Sequence, residues 1–491
     1  MLFNSYDFLF LFLPVTLAGY FLLGRSKKSG LANVWLIAAS LAFYAYWDIS
    51  FLPLLVVSII GNYLLAGRIQ AAVRDGRDAA RRAWFLLGLA FDLGMLGYYK
   101  YYGFVVTNLD RLGAGIPVPN IVLPLGISFF TITQLLYLYD SHQGVARDHD
   151  PVRYALFVSF FPHLLAGPIL YHRQMMHQFA DEKLRRFQWE NVARGAALFT
   201  IGLAKKVLIA DPLALYVNAG WGDLAGLSLF SGWLTAIAYT LQLYFDFSGY
   251  SDMAVGLARI MNLSIPINFN APYRAASLIT FWQRWHISLT NAITACVYYP
   301  LVGALSHGKK RALGHSIFAA SVTLFLVGIW HGAGWTYVVF AAMNAVGIAI
   351  NYVWRAKGLS MPAPLAHLLL LLCVVVTMVF FRAPSVTDAC QMLAVMAGAQ
   401  GVLWPQKITA LAAHAGLALP VGNVPGALPK AVFLVALALV AFAPTSNDFV
   451  KRLRPDAASR VLRIAPYVLG ILFALGVWQL SAVTQFLYFQ F

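Results

Sequence analysis

Two histidines stand where histidine is least expected. His286 lies in FWQRWHISLT (Phe281 to Thr290) and His331 in LVGIWHGAGW (Leu326 to Trp335). Each directly follows a tryptophan, and each lies in or beside a long apolar run. An ionisable side chain in hydrocarbon is costly, so a chain that keeps one there usually uses it. Imidazole takes and gives a proton near neutral pH, and general-base catalysis is the chemistry the pair suggests. Gly332 and Gly334 carry no side chain beside His331, which lets a substrate or a second helix come close to the ring. A single histidine in a span is also a common helix–helix hydrogen-bond donor. Two Trp-His pairs, one beside a glycine-flanked break, favour a chemical role over that one.

The region around them, residues 240–305, carries the densest polar content in an apolar background. The run TLQLYFDFSGYSDMAVGLARIMNLSIPINFNAPYRA sets Asp246 and Asp252 among aromatics. An uncompensated carboxylate there is expensive, so both are expected to be paired or to cap a helix. Asp252 falls where a helix could restart after Gly249, which suggests an N-cap. INFNAPYRA, with Pro266 and Pro272, cannot be a straight span and reads as a cytoplasmic loop leading into FWQRWH. Arg274 and Arg284 are placed either to meet phosphates arriving from the cytosol or to anchor the loop on its side of the bilayer. The chain has no P-loop, no GxSxG elbow and no metal motif. His163, His172 and His177, spaced by nine and five, do not fit two ligands on one helix face and read as loop or interface residues. The missing serine or cysteine nucleophile motif favours direct transfer helped by a histidine base over a stable acyl-enzyme.

Such a site needs a membrane scaffold, and the composition supplies one. Of 491 residues, 60% are hydrophobic and 11% charged, against about 25% charged in a soluble domain. The apolar runs are continuous and not alternating, so the fold class is an all-α polytopic membrane protein. Candidate spans fall at roughly 7–24, 31–48, 51–67, 83–100, 121–140, 191–210, 229–247, 316–330, 335–353, 364–382, 431–444 and 464–483. Stretches near 154–170 and 289–305 have basic residues on both sides and read as re-entrant or half-buried. The N-terminal MLFNSYDFLFLFLPV has no basic n-region and no small-residue cleavage site, so it reads as a first span.

The net charge of +16 sits in short loops and is no nucleic-acid footprint. The basic residues after the first and third spans, across 141–190, before 316 and before the last span all fall on one side if the N-terminus is outside. Twelve crossings then put the C-terminus outside too. The 383–430 stretch, rich in Ala, Pro and Gly, is expected on the outer membrane surface with a short interfacial helix. Cys296, Cys373 and Cys390 have no metal spacing and read as core or lipid-facing. The whole chain, 1–491, reads as one integral domain. It has a catalytic core at about 120–355, an outer-face loop at about 383–430, and a last span with an aromatic tail at 464–491.

Seven ordered motifs carry a family resemblance. They are MLFNSYDFLFLFLP, LPLGISFFTITQ (Leu123 to Gln134), SFFPHLLAGPIL (Ser159 to Leu170), YFDFSGYSDMAVG, PINFNAPYRA, FWQRWHISL and GIWHGAGW. Together they resemble the membrane-bound O-acyltransferase family, nearest its bacterial branch that O-acetylates alginate. FRAPS (Phe381 to Ser385) and the terminal FLYFQF extend the likeness nearly end to end. After FWQRWHISLT the branch continues with a basic-acidic segment of the type RDYLYIPLGG, whereas this chain reads NAITACVYYPLVGALSHGKK. The resemblance implies a helical bundle around a tunnel reached from both membrane faces, with His331 as the catalytic histidine and His286 as the second family histidine. Trp282 and Trp330 are expected to support them, with Asp246 and Asp252.

The implied reaction is acyl transfer from a cytosolic thioester, expected to be acetyl-CoA, to a hydroxyl outside, with no bound cofactor. The tail Phe486-Leu487-Tyr488-Phe489-Gln490-Phe491 resembles a short FxYxxF motif in which the tyrosine relays the acyl group. It also fits an aromatic belt at the membrane interface. An extracytoplasmic SGNH-type acetyltransferase is the expected partner at a bacterial inner membrane. Two other classes compete. A transporter or flippase should show two related halves with paired broken helices, and no such repeat is visible. A non-catalytic scaffold of an exopolysaccharide complex would tolerate loss of both histidines.

Overall fold

A computed structural model describes residues 1–26, 30–118, 120–307, 312–403, 406–414, 417, 429–453, 460–482 and 486–487. Among them every regular element is helical. Among the described residues, five helices are long and apolar enough to cross a membrane: Ile49–Arg74, Ile287–Ser306, Leu313–His331, Trp335–Ala356 and Ala363–Arg382. The stretch expected to be re-entrant near 289–305 is therefore a continuous 20-residue helix. Its apolar run is long enough for that. The other apolar stretch, near 154–170, is broken. The helix Pro151–Ser159 starts on an Asp150 cap and is followed by the four-residue turn Phe161–Leu164.

The chain divides into two compact units. The first comprises 1–203, 250–268 and 446–480; the second comprises 204–249, 269–445 and 481–491.

In the first unit, polar side chains on apolar helices find partners on neighbouring helices. Gln134 donates to Ser58 Oγ at 2.7 Å, Asn62 to Asp92 Oδ1 at 2.8 Å, and Gln70 to Tyr137 Oη and Ser141 Oγ at 3.2 Å each. In hydrocarbon the alternative to such a bond is an unsatisfied group, and the pairing fixes which faces meet. Rings of Phe3, Phe8, Phe12, Phe43 and Phe161 pack with centroids 5.0–6.4 Å apart. Two glycines allow a close helix approach. A Cβ on Gly256 would stand 2.6 Å from the Gly195 carbonyl oxygen, and the reverse holds for Gly195 and Gly256.

Two expectations change here. His163 is buried, with Nε2 2.8 Å from the Phe157 carbonyl. His172 opens the helix His172–Ala180, and its Nδ1 lies 3.0 Å from Asp140 Oδ2. His177 lies in the same helix, its Nδ1 2.9 Å from the Arg173 carbonyl, so none of the three is a loop residue. Asp252 is not an N-cap: one helix runs from Leu229 to Ile260 without interruption at Gly249, and Asp252 is buried in its interior.

The second unit holds the two histidines. Leu313–His331 and Trp335–Ala356 form an antiparallel hairpin whose connection is residues 332–334. Gly328 lets the arms touch, since a Cβ there would come within 2.5 Å of Ala341 Cβ. Ala363–Arg382 follows, with a proline in its first turn, where a missing N–H costs nothing. Ser385 caps the next helix, Val386–Met396, by accepting the Asp388 N–H at 3.1 Å. A helix does form within the 383–430 stretch. Trp233 holds its end through a 2.9 Å bond from Nε1 to the Met396 carbonyl.

Candidate active site

His331 is the last residue of its helix, and Gly332 continues in extended backbone. His286 sits in a different local structure. The short helix Leu278–Trp282 opens on a Ser277–Thr280 capping box, and the chain restarts as a helix at Ile287. His286 is the N-cap of that restart, at φ 44° and ψ 52°, in the left-handed region. A non-glycine residue held there carries strain on the order of 1 kcal/mol, and such residues gather at functional sites. Thr290 fixes the break by donating its hydroxyl to the Trp282 carbonyl at 3.1 Å.

These elements bring the two imidazoles together. Their ring centroids are 6.4 Å apart at 59°, and both side chains are buried, at 2% and 6% exposure. Aromatic rings enclose them. Trp330 lies 6.0 Å from His286 and 5.0 Å from His331. Phe247 meets His286 edge-on at 4.7 Å, and Phe381 meets His331 edge-on at 5.2 Å. Trp282 is set back from the rings. Its Nε1 donates to Asn344 Oδ1 at 3.1 Å, and Asn344 donates to the Phe340 carbonyl at 2.8 Å. Trp282 therefore ties the histidine break to the hairpin. Of the two uses expected for the glycine beside His331, the approach of a second helix is the one seen. A Cβ on Gly332 would stand 2.1 Å from the ring of Tyr337, so it is the tyrosine ring that fills the space.

Asp246 is paired, as its surroundings require. It accepts from Lys206 Nζ at 2.6 Å, and the same ammonium lies 2.8 Å from Asp211 Oδ1. All three side chains are buried, with Lys206 at 1% exposure. Lys206 stands in a π-helical turn, Lys205–Ala210, a winding that often marks functional positions. Removing one partner of such a buried pair costs about 3–5 kcal/mol, because the other charge is left in a low dielectric. The carboxylate has a further donor, the backbone N–H of Leu487 at 3.0 Å. The ring of Phe486 lies over Lys206 Nζ at 4.6 Å. Tyr488 lies outside the described residues.

The arginines divide. Arg274 donates Nε to the Val440 carbonyl at 3.2 Å and Nη2 to the Ala443 carbonyl, closing the last turn of the helix Lys430–Phe442. Arg284 is half-buried, and its carbonyl accepts the Asn270 N–H at 3.0 Å. Sequence reasoning missed Lys206, Asp211, Phe247, Phe381 and Tyr337. A signal for Lys206 existed: the expected span 191–210 contained two lysines, and Asp246 needed a counter-charge.

A buried imidazole pair walled by aromatics suits proton transfer on a substrate kept from bulk water. Comparisons with known proteins give the chemistry a class. The sequence model of the membrane-bound O-acyltransferase family matches residues 118–357, which include both histidines and the Lys206 cluster. The peptidoglycan O-acetyltransferase of Helicobacter pylori is 37% identical over 434 residues, covering 82% of this chain and 81% of that protein. The probable alginate O-acetylase of Pseudomonas aeruginosa is 38% identical over 406 residues, covering 81% of this chain and 75% of that protein. The teichoic acid D-alanyltransferase of Bacillus subtilis is 27% identical over 233 residues, 47% of this chain and 59% of that protein.

Proposed function

The chain belongs to the membrane-bound O-acyltransferase family, and from that premise we propose that it carries an acetyl group from a cytosolic thioester across the bilayer to a hydroxyl outside. It is a multi-pass membrane O-acyltransferase. The acceptor is an exported polysaccharide or cell-wall polymer, in keeping with the glycans named for its relatives from H. pylori and P. aeruginosa. The donor is acetyl-CoA. The enzyme lies in a bacterial inner membrane, crossing it about twelve times with both termini outside. An SGNH-type acetyltransferase on the outer side places the group on the polymer.

His331 acts as general base. It takes the proton of the acceptor hydroxyl as the oxygen attacks the thioester carbonyl; the new C–O bond forms, the C–S bond breaks, and the proton passes to the departing thiolate. His286 positions the thioester or steadies the negative charge that develops on its oxygen. The observation that supports this reading is the 6.4 Å approach of the two buried rings. An aligned base contributes about 10²–10⁴-fold. Purified protein given acetyl-CoA and a hydroxyl acceptor should release thiol and acylate the acceptor, and His331→Ala should do neither while still eluting as a folded monodisperse species. Wild-type turnover by that variant would remove the proposal.

The first acceptor on the outer side is the chain's own Tyr488. Intact-mass analysis of the C-terminal peptide under turnover should show one acetyl group there. Its absence, together with full activity in Tyr488→Phe, would remove the relay and leave direct transfer.

A further inference from the structure

Chain ends usually fray because nothing repays the entropy of ordering them. Here two residues near the C-terminus are buried, Phe486 at 1% exposure and Leu487 at 8%. Both touch the same cluster. The Leu487 N–H donates to Asp246 Oδ2 at 3.0 Å, and the face of Phe486 covers Lys206 Nζ at 4.6 Å. Asp211 holds the ammonium from another side at 2.8 Å. The chemistry is matched. A carboxylate that already accepts from an ammonium keeps lone pairs for a further donor, and a backbone N–H supplies one. An ammonium facing a ring gains from the negative π face, the more so when desolvated.

We propose that Lys206, Asp211 and Asp246 form an anchor for the C-terminal tail, and that they are positioning residues for acyl transfer. Their placement makes the link to the histidines. Asp246 is followed in the same helix by Phe247, which packs edge-on against His286 at 4.7 Å. A tail seated on Asp246 is thus fixed one residue away from the wall of the site. Tyr488 is the next residue after Leu487 in sequence. The seating rests on these contacts alone; its part in transfer rests on the acyl-transfer reading above.

The two are tested by separate readouts on the full chain in detergent. Carboxypeptidase digestion followed by intact mass reports the seat. In the wild type, trimming should stop before Leu487 and Phe486 are lost. In Lys206→Met, and independently in Phe486→Ala, which leaves the charges intact, it should run through both positions at least tenfold faster. Lys206→Arg, which keeps the cation, should restore protection. Transfer of radiolabelled acetyl from acetyl-CoA reports the role: kcat should fall at least tenfold in the two releasing variants with KM for acetyl-CoA unchanged. Equal trimming in wild type and variants overturns the anchor. Released tails with undiminished kcat overturn the positioning role. If His331→Ala retained transfer while the trimming pattern held, the histidine reading would fail and the anchor would stand.

Discussion

The ring of Tyr337 occupies the place where a side chain on residue 332 would stand, and the same ring packs edge-on against Phe381 at 5.4 Å. Phe381 in turn meets His331 at 5.2 Å. Gly332→Ala must therefore displace the tyrosine ring, which also packs on the ring that walls His331. Overpacking of this kind costs about 1–3 kcal/mol. Thermal unfolding in detergent should show the loss, and Gly332→Ala in a Tyr337→Leu background should cost less. Equal costs in both backgrounds would mean that the ring is not what glycine accommodates.

His331→Gln keeps a polar side chain of similar length but no base of comparable strength. Acyl transfer should fall by about 10²-fold or more, with the melting temperature near that of the wild type. A variant retaining a tenth of the activity would argue that the proton goes elsewhere.

The role proposed for the His286 ring is separable from the left-handed conformation of its backbone. Asparagine tolerates the left-handed conformation, whereas a β-branched residue resists it. His286→Asn should fold like the wild type and lose transfer. His286→Val should lose transfer and also melt lower, by the strain on the order of 1 kcal/mol that the turn imposes. Indistinguishable melting temperatures would show that the backbone relaxes at no cost.

Arg274 and Arg284 should respond differently to loss of charge. Arg274 is engaged with the carbonyls of Val440 and Ala443, so Arg274→Gln should lower stability by about 0.3–1 kcal/mol, as for a helix-terminal cation, and leave KM for acetyl-CoA alone. Arg284→Gln should raise that KM several-fold if its guanidinium meets donor phosphates. The reverse pattern would exchange the two roles.

Much of this is legible in the sequence alone. Spans expected at 335–353 and 364–382 are the helices Trp335–Ala356 and Ala363–Arg382, because uninterrupted apolar runs between glycine, proline and charge leave few alternatives. The two histidines were legible for the opposite reason, as residues the background should exclude. Glycine misled. At Gly249 it suggested a helix end, whereas the Leu229–Ile260 helix passes through; Gly256 in the same helix serves close packing on Gly195. Beside His331 it suggested close approach by a substrate or a second helix, and Tyr337 of the helix Trp335–Ala356 takes the space. A glycine marks where something comes close, and sequence alone does not say what. Lys206 was hidden because lysines near span ends are read as interface anchors, and only its distance to Asp246 and Asp211 shows otherwise.

The π-helical turn at Lys205–Ala210 has a bearing on how this anchor could have arisen or be lost. Such a turn holds one residue more than regular winding needs, so deleting a single position from it would restore ordinary pitch. The helices on either side would keep nearly the same relative facing, because the extra residue is taken up within the turn, and only the residues of the turn itself, Lys206 among them, would be re-aimed. Lys206 would leave its carboxylates without any change in the chemistry of a side chain, and related chains differing there by a one-residue gap should lack the ammonium–tail contact even where every other motif is kept.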